Sequence, residues 1–455
     1  MRYIVCVALI SASTLCATPQ DVLTLGDVEQ AALKHSQDLS IADLNTLIAT
    51  EKIREIQGIN MPKLSAEGNY TVRNSRAAVV HKNPQHHNKQ SPPHIPGAED
   101  HEMPKPPKRL VMETAPKEVA TGKISLVVPV YDFGYGSSLK QAQESLVEAS
   151  VHDKDRIRQD LLFLVSTTFY RTLEARKVES VVRESIRILA KQLTTAQDLY
   201  SVGLVTKNDT LSVEVQLAER HQALIEVCHT IESSLATLNR LTGLSSLTIA
   251  KLQDIEEPQT WNLDIAETLA QADKTHPVLK KIIAERSAAS FNVDATKAEN
   301  YPDINAFCNA HSTSDKYLLH KNWLTAGLEL KIPIYDGGIV AAQVAQQRTA
   351  ISAITLQYDK AVEDIHLHIR KSCFEVDSAY HRLAVAKQSI KLAEDNLTIS
   401  QDLFEEGQIL SDDVLDNEGR LSQARLNYFE ALYEFYMAQS ELEYAAGLIQ
   451  LSCVG

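Results

Sequence analysis

The sequence lacks the long apolar runs of a helical membrane protein. No apolar stretch outside residues 1–17 of this 455-residue chain approaches the roughly 20 residues that a spanning helix needs. Basic residues are also in the minority, with 45 Lys and Arg against 59 Asp and Glu and a formal net charge of −14. This balance argues against a nucleic-acid partner, because phosphate binding needs a concentrated basic face. If such a chain crosses a membrane, it must do so as a β-barrel.

Cysteine pairs and catalytic motifs are also missing. The four cysteines that follow residue 17 lie far apart and form no CxxC pattern, so the sequence indicates neither a disulfide framework nor a cysteine metal site. No activated nucleophile, paired acid or cofactor motif is present. We therefore expect no enzymatic activity and no bound cofactor.

The N-terminus has the pattern of a secretory signal. The stretch MRYIVCVALISASTLCA has a basic start, an apolar middle and small residues at its end, which predicts a signal peptide over residues 1–17. The mature protein then begins near Thr18. Cys16 raises the alternative of a lipoprotein, but Leu15 stands where lipid attachment requires a small residue. Lipidation of Cys16 stays open.

The chain contains one unit twice. Residues of the first half recur 204 positions later, from Pro129 and Pro333 to Gly243 and Gly447. Upstream, MPKLSAEGNY and YPDINAFCNA match at an offset of 240, so the first copy is longer by 36 residues. We predict a first repeat over residues 18–243, a linker over 244–262, a second repeat over 263–448 and a C-terminal tail over 449–455.

The extra length lies in a loop at residues 79–118. It holds eight of the fifteen prolines and has little to bury, so we expect a disordered or extended loop. It also holds five of the fifteen histidines, which are good metal ligands, but a proline-rich loop does not fix their geometry. Simple solvation is therefore favoured over a metal site. The weak metal candidates are His81, His86, His87, His94 and His101.

Short alternating stretches predict strands. KLSAEGNYTVR, KISLVVPV and LTAGLELKIPI place apolar or small residues at every second position, which gives a strand one apolar and one polar face. Each stretch has about the 9 to 11 residues that cross a bilayer as a tilted strand. Four such strands cannot close a barrel alone.

Two long runs without glycine or proline predict helices. They cover the 66 residues between Gly136 and Gly203 and the 68 residues between Gly338 and Gly407. Their composition favours helix, and a helix of this length measures on the order of 100 Å. A shorter helix with seven-residue apolar spacing follows each run, which is typical of coiled-coil packing. The spaced residues are Leu217, Leu224, Ile231 and Leu238, then Leu421, Tyr428, Phe435 and Leu442, beside a stripe of Ala424, Ala431, Ala438 and Ala445.

These elements together resemble a known family. Each copy consists, in order, of a helix, a strand, a loop, a strand, the motif P-[VI]-Y-D-x-G, a very long helix, a VGL or EGQ turn, a short helix and a closing glycine. This order resembles that of the outer-membrane efflux proteins of the TolC type. The resemblance extends from about Leu23 to Leu448. It implies an α+β membrane protein, a homotrimer in which each protomer gives four strands to one twelve-stranded outer-membrane β-barrel, continued by a long periplasmic α-helical barrel. Residues 244–262 would be an equatorial linker.

The resemblance also implies a function. By this resemblance, the protein would be the outer-membrane channel-tunnel of a tripartite efflux or type I secretion system. It would be surrounded by outer-membrane lipids and would extend into the periplasm. Its partners would be a periplasmic adaptor protein and an inner-membrane pump or ABC exporter. Two alternatives stay open: a non-conducting trimeric coiled-coil envelope spacer, and a metal-efflux outer-membrane lipoprotein. A spacer would share the heptads but would not need polar strand faces.

By the same resemblance, the glycine turns would contact the adaptor. The expected contact residues are Val202, Gly203, Leu204 and Gly407. We expect Leu204, Val205, Ile409 and Leu410 to be exposed at these tips. The alternative for the two glycines is that each simply ends a helix.

Aspartates of the second copy would ring a constricted periplasmic entrance. Asp413 and Asp416 fall on the matching positions, and Asp209 is the partner in the first copy. Ile409 stands where the best-known members of the family have an arginine two residues after the tip glycine, so an ionic latch to Asp209 cannot be the same. The alternative role of these aspartates is helix capping, because a helix N-terminus favours carboxylates.

Overall fold

The computed structural model describes residues 22–75, 78–81, 110–113, 116–244, 252–258, 261, 263–406 and 408–449. The predicted signal peptide with Cys16, most of the loop 79–118, part of the linker and the end of the C-terminal tail lie outside these ranges. The chain divides into two compact units. The helical unit consists of Met1–Thr50, Glu144–Ala288 and Ile351–Gly455, and the sheet unit consists of Glu51–Gln143 and Ala289–Ala350.

The described residues are mostly helical, with a similar order of elements in each half of the chain. The first half contains α1 (Leu25–His35), α2 (Gln37–Gln57), a short 3-10 helix (Gly58–Asn60), β1 (Lys63–Val72), β2 (Ala78–His81), β3 (Leu110–Glu113), β4 (Glu118–Tyr131), α3 (Tyr135–Ser201) and α4 (Lys207–Thr242). The second half contains α5 (Ile265–Thr275), α6 (Pro277–Ala298), β5 (Asp303–Thr313), β6 (Asn322–Lys331), α7 (Ile339–Glu405) and α8 (Ser411–Ala445). Helices α3 and α7 each have 67 residues, which confirms the two very long helices predicted from residues of high helix propensity without a break. No helix within the described residues is both long enough and apolar enough to span a membrane.

The sheet unit contains a four-stranded antiparallel sheet in the order β1-β4-β5-β6. One in-register row across it is Leu64, Leu126, Cys308 and Ala326, and another is Glu67, Lys123, His311 and Trp323. These rows lie on opposite faces, because successive residues of a strand point to opposite sides. The predicted separation into one apolar and one polar face is therefore confirmed.

The predicted loop 79–118 has regular structure at both ends. β2 and β3 pair antiparallel, from Ala78 opposite Glu113 to His81 opposite Leu110, and β4 already begins at Glu118. The expectation of a disordered or extended loop is therefore wrong for these residues. The reason lies in the local sequence: AVVH and LVME contain no proline and are rich in apolar side chains, whereas the prolines of the loop lie between these two stretches and after the second.

Each copy of the YD-x-G motif caps the long helix that follows it. Asp132 accepts hydrogen bonds from the backbone N–H groups two and four residues later, at 3.1 and 2.7 Å. Asp336 accepts the same two bonds at 2.8 and 2.8 Å. They satisfy N–H groups that the start of a helix leaves unpaired. The duplicated motif is therefore a strand-to-helix junction.

The alanine stripe and most of the heptad residues lie in the core of the helical unit, whereas Leu217, Leu224 and Tyr428 are only partly buried. Ile231, Leu238, Phe435 and Leu442 are buried, and so are all four stripe alanines of α8. One apolar cluster joins α1, α3, α4 and α8, and a second joins α5, α7 and α8. Because α8 contributes to both clusters, it is the central helix of this unit.

The described residues of the linker 244–262 are attached to the helical unit. Leu252 is buried and forms a parallel β-bridge with Leu23. Asp254 accepts a 3.0 Å hydrogen bond from the Tyr433 hydroxyl and forms an ion pair with Lys177. Burial by itself would raise the pKa of Asp254, but the bonds from Lys177 and Tyr433 outweigh it and hold this pKa below its ordinary value.

Candidate functional site at the helix tips

The turn between α3 and α4 is a helix terminator. Gly203 has φ +80°, in the left-handed region that favours glycine. Its N–H donates to the carbonyl of Tyr200 at 3.0 Å, and the N–H of Leu204 donates to the carbonyl of Leu199 at 3.0 Å. These two bonds form the Schellman motif, so the helix-ending role of Gly203 is established.

The turn between α7 and α8 has a corresponding backbone bond. The N–H of Gln408 donates to the carbonyl of Leu403 at 2.9 Å, and both residues lie 204 positions after Leu204 and Leu199. Gly407 itself lies outside the described residues. The two turns therefore share the hydrogen bond of the motif that joins residues five positions apart.

Apolar side chains are exposed at both turns. The exposed fraction is 69% for Val202, 69% for Leu204 and 67% for Leu410. Single exposed apolar residues are common on protein surfaces, but three at the ends of two hairpins form a candidate contact surface. We call these three residues the tip surface.

Val205 and Ile409 do not belong to the tip surface. Both are partly buried and pack against a tip cluster that consists of Leu397, Phe404, Val414 and Leu421. The expectation that these two side chains are exposed is wrong, because each turn directs them back onto α7 and α8. Ile409 thus contributes apolar packing at the position where relatives were expected to carry an arginine.

The aspartates at the start of α4 and α8 have different surroundings. Asp209 forms a capping box with Thr206: its carboxylate accepts a 2.7 Å bond from the Thr206 N–H, and its own N–H donates to Thr206 Oγ1. At the start of α8 the N-cap residue is Leu410, which has no side-chain cap. The capping alternative is therefore correct for Asp209.

Asp413 and Asp416 are exposed on α8. Neither carboxylate has a hydrogen bond or ion pair within the part of the chain that the structure describes. Being three residues apart on a helix, they lie on the same face. The structure thus leaves two unpaired carboxylates side by side near the tip surface, and they are available to solvent and ions.

One acidic residue of this region was missed at the sequence level. Glu418 of α8 is 1% exposed, and one of its oxygens accepts hydrogen bonds from Ser185 of α3 and, at 2.7 Å, from Ser422. Its counterpart in the first repeat, Glu214, is exposed. The only signal in the sequence is that Glu418 shares one helical face with Leu415 and Ser422, three and four residues away.

Closer to the start of α3, the carboxyl of Glu174 also has an unusual environment. Burial, with the nearby charges of Glu430 and Glu434, raises the pKa of Glu174 to about 7, although Arg171 acts in the opposite direction. This carboxyl therefore binds its proton near neutral pH. The sequence carries no pattern that indicates it.

The metal candidates are mostly beyond the described residues. His81 ends β2, but its side chain lies outside the described part, as do His86, His87, His94 and His101 altogether. Where side chains are described, no group of three or more His, Cys, Asp or Glu could hold a metal ion. The weak prediction of a metal site in the loop stays a prediction.

Comparison with known families gives one match over most of the chain. The family described as outer membrane efflux protein matches residues 28–244 and 268–448. The cobalt-zinc-cadmium resistance protein CzcC of Cupriavidus metallidurans is 23% identical over an alignment of 359 residues that covers 76% of this chain and 81% of CzcC. The outer membrane protein TolC of Escherichia coli is 20% identical over 311 residues, 64% of this chain and 62% of TolC.

Solved structures have a similar fold. The outer membrane protein VceC of Vibrio cholerae superposes with a TM-score of 0.70 at 17% identity, covering 93% of this chain and 96% of VceC. The CmeC outer membrane channel of Campylobacter jejuni superposes with a TM-score of 0.73 at 16% identity, covering 94% of this chain and 86% of CmeC. At this identity the likeness establishes the fold alone.

Proposed function

The chain belongs to the outer membrane efflux protein family, and from this premise we propose that it is the outer-membrane channel-tunnel of a tripartite efflux or type I secretion system. It conducts substrates from an inner-membrane pump or ABC exporter, through a periplasmic adaptor, to the exterior. The protein is located in the bacterial outer membrane and extends into the periplasm. No enzymatic step is part of this function.

The sheet carries this proposal. Its edge strands β1 and β6 each have one unpaired side among the described strands. The unpaired backbone groups of an edge strand can form hydrogen bonds with another strand. Three such sheets joined edge to edge make twelve strands and leave no open edge. Leu64, Leu324 and Leu328 are 73, 70 and 75% exposed on the apolar face, which suits contact with lipid. The polar face, with Glu67 and Lys123, then lines an aqueous lumen.

An exposed stripe on α7 supports the homotrimer. Val385, Leu392 and Ile399 are 66, 61 and 58% exposed, and Leu367 and Phe374 continue the same line. On an ideal helix all five point within about 20° of one direction. An exposed apolar stripe of this length is unusual on a monomer and is explained when a neighbouring protomer covers it. We call these five residues the α7 stripe.

The duplicated order of elements supports an internal repeat. In each half two helices, two sheet strands, a helix of 67 residues and a helix of 35 or 36 residues follow one another. One protomer then supplies two similar hairpins to the tunnel, and a trimer supplies six. In this trimer, the three copies of Asp413 and Asp416 contribute six carboxylates to the periplasmic entrance. The tip surface, with Gly203 and Gly407, contacts the adaptor.

Reconstitution into planar lipid bilayers tests the proposal. Detergent-purified protein is expected to be a trimer that gives stepwise single-channel conductance. A monomer that stays soluble without detergent contradicts the barrel. A trimer that inserts but never conducts favours the envelope spacer instead.

The cargo has two candidates in the relatives' names. One relative is named for cobalt, zinc and cadmium resistance, and another, PrtF of Dickeya chrysanthemi, is a proteases secretion protein that is 19% identical over 334 residues. Divalent cations and secreted proteins are thus the two cargo classes we propose. Deletion of the gene should raise sensitivity to zinc and cobalt if the first is correct, and should deplete proteins from the culture medium if the second is.

A further inference from the structure

A buried carboxylate interrupts the contact between α3 and α8. Glu418 Oε1 accepts hydrogen bonds from the hydroxyl groups of both Ser185 and Ser422. Glu418 Oε2 is also buried, yet it has no hydrogen-bond partner among the described residues. Burial of a polar oxygen without a hydrogen bond costs free energy.

The surroundings of Glu418 are apolar on both sides. Toward the tips, Leu189 of α3 and Leu415 of α8 share one apolar cluster. In the opposite direction, Leu173 of α3 and Tyr433 of α8 share another. Ser185 and Glu418 thus form a polar contact between two apolar clusters that each contain residues of α3 and α8.

A second unsatisfied group lies on the same helix. Gln192, seven residues after Ser185 on α3, is buried, and its Nε2 lacks a hydrogen-bond partner within the described part of the chain. Residues seven apart lie on the same side of a helix. This side of α3 therefore carries two polar groups, Ser185 and Gln192, where apolar side chains would pack more favourably.

We propose that Glu418 is a release point between α3 and α8, which makes their contact easier to separate when the entrance opens. Separation exposes Oε2 to water and removes the free-energy cost of its burial. This stabilises the open state relative to the closed state. This inference rests on the proposed conducting function. It assigns to Glu418 a role in regulating the same entrance that Asp413 and Asp416 are proposed to line.

The equivalent position of the first repeat does not share this burial. Glu214, the counterpart of Glu418 in α4, is exposed and already in contact with solvent. No burial cost is therefore stored at α4. Opening is expected to separate Glu418 of α8 from Ser185 of α3, together with Leu415 of α8, which shares a cluster with Leu189 of α3 and Val213 of α4.

The test replaces both partners by apolar groups. In the variant Glu418→Leu with Ser185→Ala, the unpaired oxygen is gone, and Ser422 can bond to the carbonyl four residues earlier in its own helix. Spontaneous openings in planar bilayers should become about tenfold rarer, because one buried unpaired group corresponds to roughly a decade in an equilibrium constant. Backbone amides of α3 between Ser185 and Gln192 should exchange hydrogen more slowly by a similar factor.

Glu418→Gln is the matched control. It keeps an acceptor oxygen for both serines and still buries one polar group without a partner, so openings and exchange should stay within about twofold of the natural protein. If the double variant fails to form trimers, Glu418→Met with Ser185 unchanged takes its place, since a flexible apolar side chain fills the same space. Openings and exchange should then slow in the same direction.

The two measurements separate this inference from the proposed function. If the natural protein never conducts, the channel proposal fails, and hydrogen exchange alone decides the role of Glu418. Unchanged or faster exchange of the α3 amides in a folded apolar variant overturns the inference. Normal conductance with openings as frequent as in the natural protein overturns it as well.

Discussion

The carboxylate of Asp209 accepts two hydrogen bonds of 2.7 Å from Thr206, one from its backbone N–H and one from its hydroxyl. The corresponding aspartate of the second hairpin, Asp413, follows Leu410, which offers no side chain to bond. Two aspartates 204 positions apart therefore have different roles. One stabilises the start of a helix, and the other is left for solvent and ions.

The first prediction follows from this difference. Asp209→Ala should cost about 1 kcal/mol of stability, the usual effect of losing a capping interaction, whereas Asp413→Ala should cost less, because only its interaction with the helix dipole is lost. The measurement is thermal unfolding of the purified protein, followed by circular dichroism. Equal losses for the two variants would show that the capping box at α4 has no special role.

The elements that could be predicted from the sequence are those with a local signal. The helices α3 and α7 follow from residue composition and the absence of breakers, and the strands follow from period-two alternation. The duplicated glycines and the YD-x-G motif predicted where these elements end. In each case the information lies within a few neighbouring residues.

The details of the candidate site could not be predicted because they depend on contacts between distant segments. Val205 and Ile409 are partly buried by residues of α7 and α8, and Glu418 is buried by α3, more than 200 positions earlier in the chain. A repeat offset also suggests equal roles for equivalent residues. Asp209 and Asp413 differ because Thr206 is replaced by Leu410, a change outside the aspartates themselves.

The second prediction concerns the pH dependence of stability. The pKa of Glu174 is raised in the folded protein to about 7, from an ordinary value of 4.5. The stabilising effect of its proton is complete below the ordinary pKa and is lost as the pH rises through about 7. Glu174→Gln should therefore remove part of the fall in unfolding temperature between pH 5 and pH 8.

Other groups titrate in the same range, so the comparison is between variant and natural protein at each pH. Glu430→Gln is the matched control, because it removes a neighbouring charge that helps to raise the pKa of Glu174 but keeps its burial. Its effect should have the same sign and be smaller. Parallel pH profiles for Glu174→Gln and the natural protein would contradict the shifted pKa.

The third prediction concerns the α7 stripe. Leu392→Glu places a charge in a surface that the proposed trimer buries, and a buried unpaired charge is strongly unfavourable. The trimer should therefore dissociate, or fail to form, in detergent. Thr398→Glu is the control: it adds the same charge to the same helix, at an exposed position about 120° around the helix axis from Leu392.

Native mass spectrometry of the two variants measures the outcome. The control variant should stay trimeric, and the stripe variant should give monomers whose helix content by circular dichroism is retained. Trimers of unchanged stability in Leu392→Glu would show that no protomer covers the α7 stripe.

The last prediction concerns ion selectivity at the entrance. In the proposed trimer, three copies of Asp413 and Asp416 around one axis would place six carboxylates in a narrow opening, where they would attract cations and repel anions. Asp413→Asn with Asp416→Asn should therefore lose most of the cation preference and most of the block by divalent cations, measured as reversal potential and single-channel conductance in planar bilayers. Asp209→Asn is the matched control and should keep both properties, because its carboxylate is engaged with Thr206.

The same recordings test how the entrance is held closed. Ile409 and Val414 pack in the apolar tip cluster, and apolar packing is not screened by salt. Raising the salt concentration should thus increase the frequency of openings only slightly in the natural protein and in both variants. If the double asparagine variant keeps its cation selectivity and its divalent block, Asp413 and Asp416 do not line the pore. A steep rise of openings with salt would instead indicate that ion pairs, rather than the tip cluster, hold the entrance closed.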